Sequence, residues 1–222
     1  MENTGIENLD KILGGGLPDK TNILVSGAPG TGKTLIGLNF LLAGAKKGEK
    51  CCYVSLNEDK EGILRACKSI KSLRSVEKYV DKNFVIEHIT LGENITMKKF
   101  IEIFSQYPSI DRLVIDSVNK LFIFSDSKKS YRINFSEMIK HLRTLSKSTL
   151  ILCETKNDEI DSNNGEAFEC DGVIQLSFLE LEEKPIRTLT IHKMRYVSFE
   201  PKIPYELIIN SEGIKLGRAK II

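Results

Sequence analysis

One short stretch constrains this chain more than any other. Gly27-Ala28-Pro29-Gly30-Thr31-Gly32-Lys33-Thr34 fits the pattern G-x-x-x-x-G-K-[ST] in full. An apolar run ending at Ser26 precedes it, and the helix-compatible Leu35-Ile36-Gly37-Leu38-Asn39-Phe40-Leu41-Leu42 follows. Strand, tight glycine turn and helix start, in that order, make a cradle for phosphate. Glycines let the main chain curl so that successive N–H groups point inward. The new helix adds the positive end of its dipole. The competing reading, a glycine turn before an ordinary helix, leaves both the lysine and the hydroxyl unexplained.

The rest of the chain is consistent with that start. Ile23-Leu24-Val25, Cys52-Tyr53-Val54, Leu113-Val114-Ile115, Leu150-Ile151-Leu152 and Val173-Ile174 are continuous apolar runs, as expected of parallel strands covered on both faces. Helical spacing links Ile63, Cys67 and Ile70, then Met97, Phe100, Ile101 and Phe104, then Phe135, Met138, Ile139 and Leu142. Alternating strands and helices predict a parallel sheet with right-handed crossovers. Towards the end, Leu189 and Ile191 alternate with Thr188, Thr190 and His192. Tyr205 to Ile209 and Ile214 to Leu216, joined by Asn210-Ser211-Glu212-Gly213, read as a hairpin. The predicted class is α/β, with a P-loop nucleotide-binding core. Its mainly parallel central sheet is flanked by helices and extended by C-terminal antiparallel strands, in a single domain over residues 1–222.

A triphosphate loop calls for ATP with Mg2+: Lys33 against the β- and γ-phosphates, the Thr34 hydroxyl on magnesium, and an acid at the end of a neighbouring strand. Asp116, closing Leu113-Val114-Ile115-Asp116-Ser117, fills that place and supports the metal through a bound water. Water must also be oriented for hydrolysis. Val54-Ser55-Leu56-Asn57-Glu58-Asp59 ends another strand with polar groups; Glu58 is able to polarise water, whereas Asn57 only positions it. The same residues also make a good helix start before Ile63.

Bulk properties narrow the partners. With 32 basic and 30 acidic residues the net charge is +2, not the strongly basic footprint of a nucleic-acid binder. No apolar run approaches a membrane span, and Met1 to Ile6 lacks the features of a secretory signal, so a soluble, cytoplasmic protein is expected. The five cysteines, Cys51, Cys52, Cys67, Cys153 and Cys170, have no C-x-x-C spacing and read as reduced core residues rather than a metal site. Adjacent Cys51 and Cys52 should point to opposite faces of a strand.

These residues, taken together, resemble the KaiC family of RecA-like ATPases over nearly the whole chain. Thr4-Gly5-Ile6 through Leu9-Asp10, with Leu13-Gly14-Gly15-Gly16-Leu17-Pro18, is similar to the family's lead-in to the phosphate loop. Val54 to Glu58 falls where the family has a strand ending in two glutamates, and Cys170-Asp171-Gly172-Val173-Ile174 resembles its late Ala-Asp-Gly-Val-Ile strand. Leu189 to Arg195 resembles a strand whose basic tip approaches ATP on the next subunit. The resemblance implies that Gly27, Ala28, Pro29, Gly30, Thr31, Gly32, Lys33 and Thr34 bind nucleotide. It also implies that Asp116 supports magnesium, that Glu58 is the catalytic carboxylate, and that Lys193 and Arg195 act in trans. It further implies a homo-oligomeric ring, usually a hexamer, with ATP between subunits. In that scheme Lys193 and Arg195 belong to the C-terminal antiparallel edge. Three departures stand out. Asn57 replaces the first of the paired glutamates, which implies slow hydrolysis; Arg195 is followed by Tyr196-Val197-Ser198 rather than Gly-Thr; and the family's circadian clock protein carries two such domains where one is expected here. Thr155 to Glu169 also holds no Ser-Thr pair like that protein's phosphorylation sites, so a circadian role does not carry over.

Three functions follow as expectations: an ATP-driven regulatory ring read by an unidentified protein partner, a RecA-like DNA recombination or repair ATPase, or a non-hydrolysing ATP-dependent scaffold. Lys120, Lys128, Lys129 and Arg132 fall where recombinases approach DNA but read as a solvated loop. The second such segment carries Asp158, Glu159, Asp161, Glu166, Glu169 and Asp171, which repel phosphate. Lys46, Lys47 and Lys50 suit the exposed end of a helix. His88, His141 and His192 show no metal or triad spacing. The first function is therefore preferred.

Overall fold

In a computed structural model of the chain, residues 1–91, 96–104, 106–107, 109–156, 159–180 and 184–219 are described. The β-strands are β1 (Thr21–Gly27), β2 (Cys51–Ser55), β3 (Phe84–His88), β4 (Ile110–Asp116), β5 (Ser146–Glu154), β6 (Gly172–Leu179), β7 (Ile186–Met194), β8 (Pro204–Ile209) and β9 (Ile214–Ala219). They form one sheet in the order β3-β2-β4-β5-β1-β6-β7-β8-β9. The pairs from β3 to β6 are parallel and those from β6 to β9 antiparallel. The helices are α1 (Leu9–Ile12), α2 (Lys33–Ala45), α3 (Lys60–Ser69), α4 (Met97–Phe104), α5 (Lys128–Leu145) and α6 (Glu166–Glu169).

The apolar runs are continuous because each strand feeds two cores. Ile23, Val25, Tyr53, Val114, Leu150 and Leu152 pack on one side with the buried residues of α2 and α3. Leu24, Cys52, Val54, Leu113, Ile115 and Ile151 pack on the other with those of α4 and α5. Cys51 and Cys52 fall into opposite cores, and all five cysteines are buried and free. Burial pushes the Cys51 and Cys52 thiols up to about 12, so they remain protonated, packed side chains.

The N-terminal lead-in is built into the first core. Ile6, Leu9, Leu13 and Leu17 are buried there, the Leu216 N–H donates to the Glu7 carbonyl, and Asn8 Nδ2 donates to the Leu216 carbonyl. A fully buried arginine, Arg112, fastens it from below, donating to Glu49, Glu2, Asn3 and the Phe40 carbonyl.

Three expectations change. Strand β3 was not anticipated: it is an edge strand with only Phe84 and Ile86 buried, so it lacks the two-faced apolar run of its neighbours. Lys128, Lys129 and Arg132 lie on α5 rather than in a loop, because Ser127 caps the helix there by accepting from the Ser130 N–H. Strand β7, carrying Lys193, is not the edge: β8 and β9 lie outside it. Asp158 lies outside the described residues. Among the described residues, no helix is long and apolar enough to cross a membrane, and no group of His, Cys, Asp and Glu has metal-binding geometry.

Candidate functional site

Strand β1 ends at Gly27 and α2 begins at Lys33, so the glycine-rich turn sits at the carboxyl end of the central strand. Two glycines are required there. Gly27 has φ 155° and packs against the Leu176 main chain; Gly32 has φ 108°, and a Cβ on it would lie 2.6 Å from Ile209 Cδ1. Lys33 Nζ donates to the Gly27 and Ala28 carbonyls at 2.8 and 3.0 Å. The Thr31 hydroxyl closes the turn onto the Ala28 carbonyl at 2.8 Å. Burial lowers the Lys33 pKa, and the carboxylates of Glu154 and Asp116 oppose that shift.

Strand β4 lies two places from β1 in the sheet, with β5 between them, and its last residue is Asp116. The Thr34 hydroxyl donates to Asp116 Oδ2 at 2.8 Å, and the Tyr53 hydroxyl donates to the same oxygen at 2.5 Å. Burial, reinforced by the Asp116 charge, raises the Tyr53 pKa and keeps the phenol a donor. Thr34 and Asp116 present adjacent hard oxygen ligands, the chemistry that magnesium prefers.

Beyond β2 the chain turns over Ser55, whose hydroxyl accepts from the Glu58 N–H at 2.9 Å. The helix start foreseen at this point is carried by Asp59 alone, which accepts from the Gly62 N–H at 2.8 Å. Glu58 is therefore not the cap. It is exposed and lines a cleft of about 350 Å³ together with Lys33, Thr34, Ser55, Asn57, Asp116 and Glu154. Asn57 is also exposed and donates to the Ser117 hydroxyl at 3.3 Å.

Two residues that the sequence reading did not single out border this site. Glu154 closes β5, and its main chain is clasped by Asn119, which accepts from the Glu154 N–H at 2.6 Å and donates to its carbonyl at 2.8 Å. Arg187, at the start of β7, donates to the Gly30 carbonyl at 3.1 Å. The signal for Glu154 was available: it follows an apolar strand run, as Asp116 does.

Lys193 and Arg195 are not at this cleft. Gly27 is level with Leu176 on β6, whereas Ile23 is level with Gly172, which pairs with Met194. The basic tip therefore sits at the opposite rim, about 13 Å further along the strands at ~3.3 Å per residue. Lys193 Nζ donates to the Cys170, Ala167 and Phe168 carbonyls, and Arg195 NH1 pairs with Asp171 at 3.1 Å. Of the basic cluster, Lys128 donates to the Asn163 carbonyl and Arg132 pairs with Glu169, so both hold the acidic segment of their own chain.

Comparison with known proteins places this arrangement. A family model described as "ATPase: KaiC" matches residues 2–221. A UPF0273 protein of Methanopyrus kandleri is 28% identical over 98% of this chain and 92% of its own. The circadian clock protein KaiC2 of Synechocystis is 27% identical over 95% of this chain, which spans 39% of that protein. The crystal structure of a KaiC-like protein from Pyrococcus horikoshii superposes with a TM-score of 0.84 at 25% identity, covering 97% of this chain and 98% of that one.

Proposed function

Because the chain belongs to the KaiC ATPase family of RecA-like nucleotide-binding proteins, we propose that it is a slow ATPase and that the cleft beside Lys33 is its active site. The observation that carries the reading is the Thr34–Asp116 contact of 2.8 Å at the mouth of a complete glycine loop. It joins the loop's hydroxyl to an acid that arrives 82 residues later. In this reading Gly27 to Thr34 hold the phosphates through main-chain N–H groups. Lys33 leaves its carbonyl partners to meet the β- and γ-phosphates. Thr34 would hold magnesium directly and Asp116 would support it through a bound water; the ion would supply neutralisation of phosphate charge. Glu58 accepts a proton from the attacking water, and Asn57, fixed through Ser117, positions that water without taking its proton.

Arg195 and Lys193 are too far along the sheet to serve their own loop, which supports a site completed by the neighbouring subunit. Head-to-tail contacts of that kind close into a ring, and the family suggests a hexamer. The protein then acts as a cytoplasmic, nucleotide-dependent switch, a single domain over residues 1–222, read by a regulatory protein partner. Calorimetry of ATP with magnesium tests the core of the reading. The parent should bind, and folded Lys33→Ala should lose at least tenfold in affinity; equal affinity would sink the assignment.

Asn57 favours one further reading, an ATP-held scaffold without turnover. Phosphate release separates the two: steady release supports the ATPase, and ATP binding with no release supports the scaffold.

A further inference from the structure

Asp171 sits between α6 and β6 with its side chain only 3% exposed. Its carboxylate is shared by two arginines in unequal ways. Arg143, from α5, grips it with two nitrogens, NH2 to Oδ1 at 2.9 Å and Nε to Oδ2 at 3.3 Å. Arg195 donates from NH1 alone, at 3.1 Å. The Asn22 N–H at the start of β1 also donates to Oδ2, and the Arg195 main-chain N–H donates to the Asp171 carbonyl. Arg195 is thus tied to Asp171 through main chain and side chain at once. Its side chain nevertheless remains 51% exposed. Among the described residues, its Nε and NH2 have no hydrogen-bond partner.

Lys193, two residues earlier, is held differently. Its ammonium meets the carbonyls of Ala167, Phe168 and Cys170, which occupies all the protons that a lysine can donate. These carbonyls belong to the segment that runs directly into Asp171. Lys193 therefore pins the segment that carries the carboxylate, and Arg195 is left as the outward-facing cation.

We propose that Asp171 is the positioning residue for Arg195: it fixes one amino group so that the rest of the guanidinium is presented to the phosphates of the neighbouring subunit. This rests on the trans reading of Arg195 given above. An unheld arginine samples many rotamers, and misplacing a catalytic group by about 1 Å costs on the order of 100-fold in rate. A partly occupied fork is preorganised, with nitrogens to spare for a second anion.

Mixed rings test the idea without disturbing the reacting site. One subunit type, Glu58→Gln, offers a good Arg195 but has a disabled site of its own. The other, Arg195→Ala, has a good site but offers no arginine. ATPase activity above the sum of the two alone comes from interfaces that pair them. Asp171→Asn is then added to the Glu58→Gln subunit only. The expected result is a fall of about tenfold in the recovered kcat with little change in KM, the mark of an interaction made in the transition state. Arg143→Gln in the same subunit should leave recovered kcat within about twofold, because Asp171 keeps Arg195. Unchanged recovery with Asp171→Asn, in rings verified to contain both subunits, overturns the proposal, and so does an equal loss with Arg143→Gln. No recovery from the plain pair overturns the trans reading instead. If Asp171→Asn subunits do not enter rings, Arg195→Lys in the arginine-offering subunit decides. An ammonium lacks the planar fork that lets one nitrogen stay on Asp171 while the others are held in a fixed outward direction, so recovery should be lost; parental recovery with lysine overturns the proposal.

Discussion

Tyr53 donates its hydroxyl to the Asp116 oxygen that also receives the Thr34 hydroxyl, from a ring that is wholly buried beneath the sheet's carboxyl edge. The phenol holds the carboxylate of Asp116 at the oxygen that Thr34 also reaches, in a residue that lines the cleft. Tyr53→Phe should therefore cost about 1 kcal/mol of stability, the net worth of one such bond. It should also raise the magnesium concentration needed for half-maximal turnover by roughly tenfold, as loss of an outer support to a metal ligand does. A magnesium titration of ATPase activity checks it, and identical titrations for both proteins would remove Tyr53 from the site's support.

Glu58 and Asn57 should respond in opposite directions. With Asp59 serving as the helix cap, Glu58→Gln leaves α3 intact while removing the proton acceptor. Turnover should fall by about 100-fold or more. Asn57→Glu places a carboxylate where the amide now donates to Ser117, and the serine hydroxyl is able to reverse as donor. Turnover should rise. Single-turnover phosphate release measures both, and parental rates for Glu58→Gln would show that another group activates water.

Lys33 links stability to pH. Burial depresses its folded pKa below 10.5, so the folded state holds that proton less tightly than the unfolded chain. The charged lysine thus carries a penalty that is complete below its folded pKa and fades as pH rises towards 10.5. Lys33→Met should be as stable as the parent, or up to about 1 kcal/mol more so, at pH 7 without nucleotide. That advantage should shrink as pH rises towards 10.5. Urea denaturation of both proteins across this range gives the difference; an advantage that grew with pH would contradict the assigned cause.

Gly32 meets Ile209 at the phosphate loop. Gly32→Ala adds a Cβ that would lie 2.6 Å from Ile209 Cδ1, at φ 108°. Steric and backbone strain together should cost roughly 2–3 kcal/mol. Ile209→Ala in the same chain removes the clash but not the strain, so the pair should be less destabilised than the two single changes summed. A double-mutant cycle by thermal unfolding reads this directly, and strict additivity would mean that the two residues do not touch.

Much of this was legible because the informative patterns are local. The continuous runs at Ile23–Val25 and Leu113–Ile115 announce strands buried on both sides, and both cores are present. Edge strand β3 was missed because only one of its faces is covered, leaving a weaker pattern. Asn57, Glu58 and Asp59 were ambiguous for a related reason: a polar triplet before a helix suits a cap as well as a site. Only the Asp59–Gly62 bond of 2.8 Å assigns the cap and leaves Glu58 to the cleft.

By itself the sequence determined the glycine loop, the hydroxyl and lysine beside it, and the strand ends carrying Asp116 and Glu58, because each follows from backbone requirements within a few residues. Tertiary structure decided which strand ends become neighbours. Glu154 joins the cleft because β5 pairs directly with β1, and Arg187 reaches Gly30 because β7 runs back antiparallel along β6. The same reversal carries Lys193 and Arg195 to the far rim and sets Arg195 on Asp171. Strand order and register come from burying both faces of one sheet at once, a global condition that no short stretch of sequence contains.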